Sequence, residues 1–195
     1  MILCVNSSPR KEATEYVMMK TREILDERGY ETYLLNLREK EINFCKHCDF
    51  CLEEKECVFD DGMSDVYTAL EEARGIVLAT PVYNSGISAQ LKAMMDRTRA
   101  LMAKDPESLR GKIGMGITIG GDRMGGQEIS LMQIHAFFIL NGMIPVSGGS
   151  FGANLGATFW SKDSKEGVMK DKEGFKTLEK SIKRLAQFLD EYGRK

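Results

Sequence analysis

Cysteine is the first residue type in this sequence whose spacing points to chemistry. Cys45, Cys48, Cys51 and Cys57 follow a Cys-x2-Cys-x2-Cys-x5-Cys pattern, while Cys4 stands alone in an apolar run. Three closely spaced thiolates can hold three corners of a cubane, and a short excursion lets a fourth reach the last iron. Compact all-thiolate spacing of this kind goes with [4Fe–4S] ligation. Zinc more often takes two two-residue knuckles separated by a longer loop. A zinc site here would recruit His47 with three of the cysteines, but His47 is expected to point outward from between Cys45 and Cys48. Redox thiols without a metal are the third reading. Phe44 and Phe50 are candidates to shield the site from water, and Lys46 and Lys55 either soften the charge of a thiolate shell or are ordinary solvated cations. Cys4 reads as a small buried hydrophobe.

A second set of residues suits a planar ligand that carries a phosphate. Asn6-Ser7-Ser8-Pro9-Arg10-Lys11-Glu12-Ala13-Thr14 brings hydroxyls, a fixed cation and the free N–H groups of a helix start together, which is what a phosphate requires. Arg10 can grip phosphate oxygens with two parallel donors. Thr80-Pro81-Val82-Tyr83-Asn84-Ser85-Gly86 reads as a shaped turn presenting Tyr83 and Asn84 beside a flat ring. Thr118-Ile119-Gly120-Gly121-Asp122 and Gly125-Gly126-Gln127-Glu128 offer backbone that can approach a polar ring edge closely. Each stretch alone is also what a plain helix cap or strand-end turn looks like. Together they favour a ligand site.

The elements that must position these loops follow from hydrophobic periodicity. Short apolar strands are predicted at Ile2–Val5, Tyr30–Leu37, Gly75–Thr80, Lys112–Ile119 and 143–148, and amphipathic helices at 13–28, 62–73, 88–103, from Gly125–Gly126 to Leu140, and at 171–192. Asp60 and Asp61 are N-cap candidates for the second helix. Alternating strands and helices imply an α/β fold: a doubly wound, five-stranded parallel sheet with helices on both faces. The cysteine loop, 44–58, is an insertion after strand two, and residues 149–170 read as an irregular stretch before the last helix, either a flexible arm or an oligomer contact. Ligands in such sheets bind beyond the carboxyl ends of the strands, where all three loops lie.

With 195 residues the chain suits one domain, 1–195, and its 43% hydrophobic and 29% charged content is that of a globular protein. A formal charge of −2 argues against nucleic-acid binding or a polybasic membrane surface, and no apolar run approaches a bilayer span. Without a signal-peptide pattern at its start, a cytoplasmic location is expected.

Ser8-Pro9-Arg10-Lys11, the stretch from Pro81-Val82-Tyr83 through Ser88-Ala89-Gln90-Leu91-Lys92 to Asp96-Arg97, and Gly125-Gly126-Gln127-Glu128 resemble the NADPH-dependent FMN reductase and multimeric flavodoxin superfamily over residues 1–150. With the cysteine loop added, the chain resembles the archaeal and anaerobic iron–sulfur flavoproteins. That resemblance implies a flavodoxin-like fold, with Ser8, Arg10 and Thr14 at an FMN phosphate, Pro81, Val82, Tyr83 and Asn84 bordering the isoalloxazine, and Thr118, Gly120 and Gly121 at its pyrimidine edge. Cys45, Cys48, Cys51 and Cys57 would hold a [4Fe–4S] cluster. One departure stands out: Glu12-Ala13-Thr14-Glu15 puts carboxylates where relatives often have small residues and an Asn-Thr pair. The implied role is electron transfer from a one-electron, ferredoxin-like donor, in a homo-oligomer, dimer or tetramer. No catalytic triad or carboxylate pair is evident. The alternatives are an NAD(P)H-dependent FMN or quinone reductase without a cluster, and a non-enzymatic flavin- or zinc-binding module.

Lesser signals have plainer readings. Met94, Met95, Met124, Met132 and Met143 are expected to pack, and His135 to be a satisfied core residue. Asp96, Arg97 and Arg99 either cross a subunit interface or form a surface ion-pair face. Trp160 either covers a neighbour's flavin or anchors an interface.

Overall fold

A computed structural model describes residues 1–193. Five parallel strands run in the order β2-β1-β3-β4-β5: β1 (Ile2–Asn6), β2 (Thr32–Asn36), β3 (Gly75–Pro81), β4 (Ile113–Gly120) and β5 (Ile144–Val146). This is the flavodoxin-like order, and its switch point lies between β1 and β3. Every residue of β1, β3 and β4 is buried, as a sheet covered on both faces requires.

Side-chain alternation sorts the core into two layers. Cys4, Val77, Met115 and Ile117 face helices α1 (Ala13–Glu27) and α8 (Lys172–Tyr192). Leu3, Val5, Ile76 and Leu78 face α3 (Met63–Glu72), α4 (Ala89–Arg97), α5 (Arg99–Lys104) and α6 (Gln127–Leu140). Burial pushes the Cys4 thiol up to about 12, so this cysteine stays protonated and packs as a hydrophobe. The other cysteines lie in the insertion after β2, whose only regular element is the single-turn α2 (Phe50–Glu54).

Two expectations need correction. The stretch 149–170 is not an irregular arm, because it contains β6 (Ala157–Trp160) and α7 (Lys165–Met169). β5 pairs only with Ile113–Met115, so the rest of buried β4 would lack partners for its outward backbone groups. β6 supplies them along Ile117–Gly120, also in parallel. The far edge of β6 is closed by side chains, since Thr158 N–H donates to Thr177 Oγ1 (3.2 Å) and Trp160 N–H to Asp171 Oδ2 (2.7 Å). The predicted helix 88–103 is two helices. It breaks at Thr98, whose hydroxyl donates to the Met95 carbonyl at 2.7 Å. No described helix is long and apolar enough to cross a membrane.

Candidate functional site

The loops after β1, β3 and β4 meet at the carboxyl edge of the sheet through buried hydrogen bonds. Ser7 N–H and Ser7 Oγ both donate to the Ala79 carbonyl at 3.0 Å, fixing the first loop to the end of β3. Ser88, fully buried, caps α4 by accepting from Leu91 N–H (3.3 Å). Its hydroxyl lies 3.1 Å from Ser7 O and 2.9 Å from Ser7 Oγ. Ser88 N–H donates to Thr80 Oγ1 at 2.9 Å. The sequence reading gave Ser88 no role, yet it ties the first two loops together.

Between these anchors the chain makes a tight two-residue turn. Tyr83 and Gly86 exchange backbone bonds of 3.0 and 2.9 Å, with Asn84 and Ser85 in the left-handed region at φ 48° and 60°. The turn leaves Tyr83 and Asn84 exposed at the rim, with Val82 half-buried and Pro81 buried beneath. Its far side rests on α6: Ile87 N–H donates to Gln133 Oε1 at 3.0 Å. Gly126, at φ +105°, lets the third loop touch the turn. A Cβ there would lie 2.5 Å from Ser85 Cα.

The third loop is organised by Gln127, a further residue the sequence reading left unassigned. Its amide donates to Asp122 O (2.7 Å) and Phe159 O (3.3 Å), and its carbonyl oxygen accepts from Gly125 N–H (2.9 Å). Thr118 is fully buried and donates to the Gln127 carbonyl at 3.2 Å, so it supports the loop from below. Gly120 is buried and Gly121 half-buried above it.

At the first loop, Ser8 and Thr14 are buried and Arg10 is exposed, its guanidinium without a partner among the described residues. Ser8 Oγ accepts from Arg10 N–H (3.1 Å), and α1 begins without a side-chain cap. A start of this kind, with hydroxyls and a fixed cation beside it, suits a phosphate group. The carboxylate flagged at Glu15 turns away: it pairs with Arg38 Nη2 at 2.8 Å, and Arg38 Nη1 also donates to Asn36 Oδ1.

The second candidate centre lies at the other end of α4. Cys45, Cys48, Cys51 and Cys57 line one pocket together with Phe59, Arg97 and Arg99. Burial raises the Cys51 thiol, and Arg99 opposes that rise while the charges of Cys57 and Cys45 add to it. Among the described residues, no three His, Cys, Asp or Glu side chains are drawn together at the spacing of a single-ion site. The all-sulfur donor set on one pocket suits a group that spreads four thiolates over several irons.

The base of this loop is locked by a buried ion pair. Arg97 forks onto Asp61 (Nη1–Oδ2 2.9 Å, Nη2–Oδ1 3.0 Å), and Asn43 N–H and Nδ2 both donate to Asp61 Oδ2 at 3.1 Å. Burial alone would raise the Asp61 carboxyl; Arg97 and the Asn43 and Met63 amides outweigh it and hold the group well below the usual carboxylate range. The N-cap of α3 is Gly62, without a side-chain cap bond, and not the expected Asp60 or Asp61; Asp61 instead accepts from Met63 N–H (3.1 Å) from one residue earlier, its carboxylate being committed to Arg97 and Asn43.

Several minor expectations change. Of the three residues expected at a subunit interface or in a surface ion-pair face, Asp96 pairs with Lys92 and Arg99 with Asp49 at the surface, whereas Arg97 does not reach outward. Arg97 is buried within its own chain, and Arg99 bonds Asp49 (2.6 Å) and His47 (3.2 Å) at the loop rim. His47 is exposed, as expected of a residue outside the donor set. Phe44 lies in solvent rather than over the cysteines, and Phe59 forms the pocket wall instead. Lys46 sits over the Phe59 ring (4.5 Å) and Lys55 donates to Leu52 O (2.9 Å), so neither is simply solvated. Met124 and Met132 are exposed, unlike Met94, Met95 and Met143. His135 is half-buried, with its ring nitrogen on the Leu155 carbonyl. Trp160 is held between Arg123 (4.7 Å) and Lys162 (4.4 Å).

Comparison with known proteins decides the lineage. Residues 1–158 match the NADPH-dependent FMN reductase family. The chain belongs to that family. Within it, the chain is 56% identical over 190 residues to an iron–sulfur flavoprotein of Archaeoglobus fulgidus, covering 97% of each chain. It is 50% identical over 189 residues to an iron–sulfur flavoprotein of Methanocaldococcus jannaschii, covering 96% of each. The crystal structure of RosB, with bound 8-demethyl-8-formylriboflavin-5′-phosphate, superposes with a TM-score of 0.77 at 15% identity, covering 99% of this chain and 81% of the other. That likeness concerns the fold. The family match takes in all three loops at the sheet edge and the cysteine insertion.

Proposed function

We propose that the chain is an electron-transfer flavoprotein that binds FMN at the three-loop edge and a [4Fe–4S] cluster on Cys45, Cys48, Cys51 and Cys57. One observation carries this reading: the two candidate centres sit at opposite ends of a single helix. Ser88, at the start of α4, fixes the ligand loops, and Arg97, at its end, lines the cysteine pocket. The nine-residue helix between Ser88 and Arg97 is about 13 Å long. When bound, a flavin exchanges one or two electrons and a cluster one, so the pair links one-electron carriers to two-electron chemistry.

The chain's own residues bind and orient. Arg10, Ser8 and Thr14 take the phosphate, the exposed Tyr83 and Asn84 with Val82 and Pro81 border the ring, and Gly120 and Gly121 face its polar edge above Thr118. The names of the two archaeal relatives support the cluster assignment. The proposed electron donor is a ferredoxin-like protein. A groove of about 1040 Å³ between α4–α5 and α6 runs from Ile87, beside the ligand turn, to Asp96 and Arg99, which it shares with the cysteine pocket. We assign the exposed apolar side of α6, with Ile129, Met132, Ile139 and Leu140, to contact between subunits of a homo-oligomer.

Anaerobic purification followed by joint determination of iron, sulfide and flavin tests the assignment. Iron and sulfide each near ~4 per chain, with about one FMN, is the expected result. FMN without iron in protein never exposed to air overturns the cluster. Rapid NAD(P)H oxidation by such protein replaces it with a simple flavin reductase.

A further inference from the structure

Arg97, at 1% exposure, is the most deeply buried charged residue among the described residues. A guanidinium carries five N–H donors in a rigid plane. Here Nη1 donates to Asn43 O (2.9 Å) and Asp61 Oδ2 (2.9 Å), and Nη2 donates to Asp61 Oδ1 (3.0 Å). Nε–H is buried with no acceptor among the described residues. A buried donor in that state is costly, and its persistence calls for an explanation.

The surroundings supply one. Arg97 lines the pocket of the four cysteines, and Cys57 is near enough to act on its charge. The Phe59 ring lies against the guanidinium (4.9 Å) and covers that side from water. Asp61 already balances the positive charge through two short bonds. What Arg97 has left for the pocket it lines is therefore an unpaired N–H rather than net charge.

We propose that Arg97 Nε–H is the acceptor-seeking donor for a sulfur of the bound cluster, either a cysteine thiolate or a bridging sulfide, and so sets the cluster's reduction potential. The inference rests on the cluster assignment above. Asp61 is the positioning residue in this account, and Arg97 is the donor that meets the cluster. The Asp61 fork aims its Nε, and an N–H···S bond favours the reduced, more negative state. Lysine keeps the charge but has three N–H donors, which the bonds to Asn43 O and the two Asp61 oxygens already take, so none is left for the pocket.

The test uses anaerobically purified protein in two measurements. In wild-type protein labelled with 15N-arginine, pulsed EPR of the reduced cluster should show hyperfine coupling to an arginine nitrogen. In Arg97→Lys, redox titration should show the cluster tenfold harder to reduce at fixed potential, a fall of about 59 mV for one electron, with the flavin couple unmoved. Arg38→Lys, which alters the other described arginine whose buried Nε lacks a partner and which lies outside the cysteine pocket, should leave the cluster potential in place. Iron-loaded wild-type protein without arginine coupling overturns the inference even if Arg97→Lys fails to fold. An unshifted potential in iron-loaded Arg97→Lys does so too, as does an equal shift in Arg38→Lys. Protein purified without iron overturns the cluster reading and this inference with it.

Discussion

Replacing Ser88 by alanine removes one buried hydroxyl that serves two elements. Losing the cap on α4, where Oγ accepts from Leu91 N–H, costs about 1 kcal/mol. The same hydroxyl has one proton, shared between Ser7 O and Ser7 Oγ, so its loss orphans one buried acceptor at a further ~1–2 kcal/mol. The expected total is about 2–3 kcal/mol, which for a chain of this size lowers Tm by roughly 5–10 °C. Because Ser7 is also pinned to the Ala79 carbonyl, the first loop loosens and flavin affinity falls along with stability. Denaturant unfolding with and without FMN gives the two effects separately. A double-mutant cycle with Ser7→Ala should return a coupling of about 1 kcal/mol. Additive losses would refute the argument, because they would mean that the two serines do not act as one joint between the loops.

Asp61→Asn strips Arg97 of its counter-charge and should cost about 3–5 kcal/mol, read by chemical denaturation. The Asp61 carboxyl titrates below its ordinary value, so its contribution is complete above about pH 4 and disappears as the pH falls through the folded value. Wild-type stability should therefore show an acid limb below about pH 4 that Asp61→Asn flattens. Tyr83→Leu touches an exposed rim residue and should shift stability by no more than ~0.5 kcal/mol while weakening FMN binding measured by fluorescence. Gly126→Ala meets both a left-handed backbone and the Ser85 backbone, so its loss should exceed the ~1 kcal/mol of an ordinary strained glycine site, seen in thermal unfolding. Leu140→Glu on the exposed apolar side of α6 should leave the fold intact and reduce the assembled mass measured by light scattering.

The sheet was legible because buried parallel strands read as unbroken apolar runs, and β1, β3 and β4 are such runs. β6 was not. Its four residues, Ala157–Trp160, lie among Gly, Ser and Lys, and what makes them a strand is the bare half of β4, a tertiary demand with no local trace. The break at Thr98 was hidden for a related reason: Met94, Leu101 and Met102 keep apolar spacing across it. At the candidate sites, the ligand-facing loops announced themselves through Gly, Ser and Pro, and the cysteines through their spacing. Their supports did not. Ser88, Gln127 and Asp61 act through partners far away in the chain, and polar residues that bond across such distances leave no periodic pattern. Arg97 was noticed as a cation but given the wrong surroundings, since its burial depends on Asp61, thirty-six positions earlier.

The joint at Asp61, Asn43 and Arg97 fixes both feet of the cysteine insertion, 18 positions apart, using residues outside the cysteine pattern itself. The closure entropy of that loop is met by protein contacts before any ligand arrives. The insertion is thus a socket with its own clasp, and the segment inside it can change in length or ligand set without disturbing the sheet below. A lineage that kept the clasp could replace the segment between its feet with the rest of the fold as its unchanged chassis.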